Sequence, residues 1–170
     1  MNFKSASILA GALLLCLSIP AWSQFAAEES EWKESEIPPP PAFDVEKLIG
    51  LDVSPNSALA YGVDPASIRI SKSDSVVRYV MVATSASGAR NVMYEGMRCS
   101  TGEFKTYARY STDGKWTPVS NPEWRSMFGN MPSKHPLRLA QAGACDNAAP
   151  AASVKDMVGR LKNSNYRVTQ

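Results

Sequence analysis

The sequence has 170 residues, enough for one core and too few for two full domains. Apolar residues make up 44% and charged residues 20%, an ordinary globular balance, and a formal net charge of +2 excludes the clustered positive excess that nucleic-acid binding needs. Three cysteines, Cys16, Cys99 and Cys145, are an odd number, so the fate of Cys16 decides whether a thiol is left unpaired.

The chain opens with Lys4 and then an uncharged stretch, Ile8 to Ile19, with Leu13, Leu14, Leu15 and Leu17 at its centre. That stretch is shorter than the roughly 20 apolar residues a membrane-spanning helix requires, and it fits the apolar region of a signal peptide. Pro20 breaks the helix, and Ala21-Trp22-Ser23 places small residues where a signal peptidase inspects the chain. Residues 1–23 are therefore expected to be a cleaved signal peptide, with periplasmic delivery of residues 24–170 and no transmembrane helix in the mature chain. The alternatives are an uncleaved anchor and lipidation at Cys16 with outer-membrane association. Lipidation wants a small residue before the cysteine, and Leu15 stands there.

Loss of Cys16 leaves Cys99 and Cys145 in an oxidising compartment, where disulfides persist. A bond between them closes a loop of about 47 residues, worth roughly 4 kcal/mol in the chain-entropy model. The alternative use of the thiols, as metal ligands or in catalysis, wants further ligands, and His135 is the only histidine.

Residues 24–41 read as an acidic, proline-rich N-terminal arm: Glu28, Glu29, Glu31, Glu34 and Glu36 surround Lys33, and Pro38 to Pro41 close the segment. Four prolines favour an extended polyproline II spacer of about 12 Å. Trp32 and Ile37 are out of place in a purely solvated tether, which leaves two readings open, an arm docked on the domain and a flexible tether.

The domain proper, residues 42–170, starts with short strands at Leu48 to Val53, Ala58 to Val63 and Ser67 to Ile70, punctuated by turns. Val76 to Thr84 is apolar at both parities except Arg78, the pattern of a central strand covered on both sides. Ser85-Ala86-Ser87-Gly88 turns the chain into Ala89 to Arg98; Glu103 to Tyr110 follows, and Asp113-Gly114 leads into a strand around Trp116. Beyond Trp124 the pattern becomes helical. Pro136 starts a helix with Leu137, Ala140 and Ala144 on one face and Cys145 at its end. Ser153 caps a second helix, with Asp156 three residues on and Val154, Met157, Val158 and Leu161 at helical spacing. The fold class is α+β: an antiparallel meander packed by one or two C-terminal helices and pinned by one disulfide.

No nucleophile elbow, phosphate-cradling loop or metal set is apparent, so no catalytic residue, metal or cofactor is assigned. His135, in Ser-Lys-His-Pro, reads as a capping or surface residue. Glu95 and Glu103 could meet across neighbouring strands as the carboxylate pair of a hydrolase; cross-strand pairing with Arg98 or Lys105 accounts for them more simply. Strict alternation places Glu103, Lys105, Tyr107 and Arg109 on one face of their strand. With Arg78 and Arg98 on nearby strands and Trp116 beside them, these residues form a candidate ligand face. Arginine and tyrosine together suit an anionic or glycan-like ligand, or an envelope protein partner; an ordinary solvated sheet face is the plainer reading.

The strings Val76-Val77-Arg78-Tyr79, Ser85 to Ala89, Asn91 to Cys99 (with Tyr94-Glu95-Gly96 and Arg98-Cys99), Tyr107-Ala108 and Asp113-Gly114-Lys115-Trp116 carry a resemblance. The chain resembles the cryptic neisserial protein-like (CNP-one-like) family of bacterial envelope proteins, from Trp32 and the prolines to Asp156-Met157-Val158. The resemblance implies export, a single domain and the Cys99–Cys145 pair. It brings no activity, cofactor or catalytic residue. The function expected is that of a non-catalytic binding or interaction module of the cell envelope.

Overall fold

The computed structural model describes residues 31–166, with side chains through Asn163. The expected signal peptide and the first part of the arm lie outside the described residues. The strands are β1 (Ile49–Leu51), β2 (Leu59–Val63), β3 (Arg69–Ile70), β4 (Val76–Ser85), β5 (Arg90–Arg98), β6 (Glu103–Tyr110), β7 (Trp116–Pro118) and β8 (Arg125–Ser126). After α1 (His135–Leu139) come the short pair β9 (Cys145–Asp146) and β10 (Ala149–Pro150), then α2 (Val154–Tyr166). The main sheet is antiparallel in the order β1-β2-β4-β5-β6-β7, with β3 beside β4 and β8 beside β6. The α+β class and the meander expected from the strand patterns are what the structure has.

β4 forms because Val76, Val77, Tyr79, Val80, Met81 and Val82 suit a pleated surface buried on both sides, and each is fully buried. One side of the sheet, the helix face, presents Tyr61, Val63, Val77, Tyr79, Met81, Met93, Met97 and Phe104 to Leu139, Ala144, Met157 and Leu161. The other, the arm face, carries a smaller cluster of Val80, Val82, Val92, Tyr94, Tyr107 and Ala108 under Phe43, Leu48 and Trp116.

The Cys99–Cys145 disulfide is formed, with 5.6 Å between the Cα atoms. Cys145 stands at the end of the first helical segment, as expected: the helix widens over Ala140–Ala144, with Gly143 (φ 139°) already out of helical geometry, and the extended Cys145 caps it by donating its amide to the Ala140 carbonyl. A side chain at Gly143 would place its Cβ 2.5 Å from the Cβ of Arg160, so glycine also lets α2 pack closely here. α2 starts as expected: the Ser153 hydroxyl accepts the Asp156 amide at 3.1 Å.

Candidate functional site

Arg78, Arg98, Lys105 and Tyr107 share the arm face, as alternation requires, and the chain's own N-terminal arm sits on them. Asp74, whose side chain is fully buried, accepts from Arg78 Nη2 at 2.7 Å. The Ser35 amide donates to the same carboxylate at 3.0 Å and its hydroxyl at 2.5 Å, and Trp32 Nε1 donates to the Asp74 carbonyl at 2.9 Å. Burial alone would raise the Asp74 carboxyl; the Arg78 guanidinium and Ser35 outweigh it and hold it well below the usual carboxylate range. Glu34 accepts from Lys105 Nζ at 2.5 Å and from the Tyr107 hydroxyl at 2.7 Å, and Arg78 Nη2 lies 3.8 Å away. Burial and the adjacent Glu34 carboxylate push the Tyr107 phenol far up, so it stays protonated and donates. Trp32 lies on the Arg98 guanidinium, 3.6 Å from its ring centroid, and edge-on to Trp124. Arg98 also pairs with Glu103 at 3.1 Å. The arm is therefore docked by Trp32, Glu34 and Ser35, whereas Ile37 is 38% exposed. Arg78, Arg98 and Lys105 each have a carboxylate.

Arg109 departs from the expected face. β5 and β6 pair Tyr94 with Ala108 but Glu95 with Thr106, so Tyr107 is an inserted residue, a β-bulge. Tyr107 and Ala108 both join the arm-face cluster, and Arg109 returns opposite Met93 on the helix face. Strict alternation failed here because it assumes an unbroken register. Gly96 was the available signal: the Tyr107 phenol lies over it, 2.1 Å from where a Cβ would stand. A glycine inside a strand marks such a close approach. Trp116 packs edge-on against Phe43 and Tyr110 rather than on the arginines.

The proposed carboxylate pair does not form. Glu103 is on the arm face with Arg98, while Glu95 is wholly buried on the helix face between Met93 and Met97. Glu95 Oε2 is 2.9 Å from His135 Nε2, and Oε1 accepts from the Thr106 hydroxyl at 3.1 Å. His135, read from the sequence as capping or surface, is buried. It stacks on Tyr61 at 5.4 Å, meets Phe104 edge-on, and its Nδ1 lies 3.1 Å from Ser133 Oγ. The Ser133 oxygen also accepts the His135 amide at 3.2 Å, which makes this serine a turn-closing group at the start of α1. Glu95 and His135 are 40 residues apart, beyond the reach of any local pattern. The Pro136 that starts α1 was the available hint, since it puts His135 on a helix packed against the sheet.

A cavity of about 330 Å³ opens over this buried pair. Thr106, Ser133 and the pair form its polar floor, and Leu59, Met93 and Met131 are among its apolar walls. Asn91, Arg109 and Arg125 are exposed at its mouth. Arg109 Nη1 donates to Asn91 Oδ1 at 3.2 Å. Neither arginine has a carboxylate partner among the described residues.

The CNP1-like family model matches residues 27–162. The chain belongs to the CNP1-like family. No curated protein and no solved structure matches the chain. Among the described residues of this CNP1-like chain, no helix is long and apolar enough to cross a membrane.

Proposed function

We propose that this CNP1-like chain is an exported binding module of the cell envelope and that its ligand enters the helix-face cavity. One observation carries the binding site: Arg109 and Arg125 stand exposed at the mouth of the cavity with no carboxylate partner among the described residues, whereas Arg78, Arg98 and Lys105 of the expected ligand face are each paired with one. An exposed guanidinium at a cavity mouth presents a planar fork of donors suited to an incoming anion. The Glu95–His135–Thr106 cluster beneath is closed on itself and supports the walls rather than reacting.

What supports export is the signal-like segment at residues 1–23 together with the Cys99–Cys145 bond, which needs an oxidising compartment to persist. Two measurements test the proposal. The protein recovered from cells should lie in the periplasmic fraction and begin at Gln24; a cytoplasmic pool retaining Met1 would refute export. A photo-crosslinking residue placed at Asn91 should give a discrete adduct in cells that the same residue at exposed Lys162 does not. Equal labelling from both positions would refute the cavity as the site.

A further inference from the structure

We infer that the ligand of this cavity is a small amphiphilic anion: a carboxylate or phosphate head between Arg109 and Arg125, and an unbranched aliphatic tail on Leu59, Met93 and Met131. The inference rests on the cavity being the ligand site, and it follows from which groups there are still free. At the floor nothing asks for a ligand's polar atoms: both Glu95 oxygens are engaged, and both His135 ring nitrogens have partners. The aromatic surfaces are used as well. One face of Tyr61 is covered by the stacked His135, and Phe104 meets the His135 ring edge-on. A sugar ring, which wants an open aromatic platform and several hydrogen-bonding groups, is poorly served. The remaining walls are Leu59, Ala83, Pro132 and two flexible thioethers, and the thioethers adapt to an aliphatic chain. Polar demand is confined to the mouth, where Arg109 and Arg125 have no carboxylate partner among the described residues. At about 30 Å³ for each water-sized group, 330 Å³ holds on the order of eleven such groups. An eight-carbon carboxylate fills that space.

The test uses the full mature chain with ¹³C-methyl methionine. Octanoate should shift the Met93 and Met131 methyl signals saturably and leave Met157, which is fully buried against the sheet, in place. Octanol, with the same tail and no charge, should bind at least about tenfold more weakly, as should octanoate to the Arg109→Ala/Arg125→Ala double variant, because charge-assisted contacts are lost. Both arginines are exposed, so the melting temperature of the variant should be unchanged. Octyl phosphate in parallel identifies the head, the tighter of the two anions naming it, and inorganic phosphate should leave the methionines unmoved. The inference is overturned if octanol matches octanoate within twofold, or if neither alkyl anion moves Met93 and Met131. An adduct from Asn91 in cells with both anions silent would remove the amphiphile and keep the cavity as ligand site. Saturable, charge-dependent binding with no adduct in cells would support the chemistry and remove the envelope reading.

Discussion

Replacing Glu34 by alanine tests what holds the arm. The substitution removes the carboxylate paired with Lys105, which is 8% exposed, and the acceptor of the Tyr107 hydroxyl. Each is a hydrogen bond to a charged group, worth roughly 1.5–3 kcal/mol, and removing one partner of a fully buried pair costs about 3–5 kcal/mol. Lys105 is not fully buried and partly rehydrates, so a loss of about 3 kcal/mol is expected. For a domain of this size that lowers the melting temperature by about 10 °C. Trp32 and Ser35 still anchor the arm through Arg98 and Asp74, so the variant should remain folded with the arm in place.

A double-mutant cycle isolates the contact. Lys105→Met keeps the aliphatic stem and removes the charge. Glu34→Ala made in that background should cost at least about 1.5 kcal/mol less than in the parent. Urea melts with a common slope supply the four free energies. Because the pair is largely shielded, the coupling should survive 1 M salt, unlike that of an exposed pair. A coupling within about 0.5 kcal/mol of zero would refute the Glu34–Lys105 contact as the clamp.

Acid should weaken the same site. The folded Asp74 carboxyl is held well below its unfolded value of about 3.9, so its stabilisation is complete above that pH and is lost as pH falls through and below about 4. The stability difference between the parent and Asp74→Asn, measured by denaturant melts, should therefore shrink steadily between pH 5 and pH 2; a constant difference would refute the assignment. On the helix face, His135→Ala strands the wholly buried Glu95 without its 2.9 Å partner and should cost about 3 kcal/mol. Glu95→Gln can keep hydrogen bonds to Thr106 and His135 and should cost under about 1.5 kcal/mol; the reverse order in thermal melts would show that the pair does not support the cavity floor.

The features legible in the sequence were those set by local pattern or simple counting. The unbroken apolar run of β4 declared a strand covered on both sides, the Ser153 cap declared α2, and cysteine arithmetic paired Cys99 with Cys145. The parts of the site that stayed hidden depend on long-range pairing. Glu34 reaches Lys105 across 71 residues, and within an acidic arm nothing distinguishes it from Glu36 until Trp32 is seen to dock. Glu95 read as a cross-strand partner of Arg98 or Lys105, yet its side is the one the helices cover. A buried carboxylate is costly unless paired, and the partner was the lone histidine that the motif reading placed outside.

The bulge at Tyr107 links the two faces, and deleting that residue separates them. Without Tyr107, Thr106 and Ala108 become consecutive opposite Glu95 and Tyr94, which is the pairing they already have. Arg109 should therefore stay on the helix face beside Asn91. The arm face alone should suffer. It loses a buried aromatic ring, worth roughly 1.5–3 kcal/mol, and the hydrogen bond to Glu34, partly offset by a continuous strand ladder. A net destabilisation of about 3 kcal/mol is expected, with octanoate affinity at the cavity within about twofold of the parent when measured well below the melting temperature. If the deletion instead weakens octanoate as strongly as Arg109→Ala does, the register has moved, Arg109 has changed faces, and the pairing of Thr106 with Glu95 and of Ala108 with Tyr94 does not survive without the inserted residue.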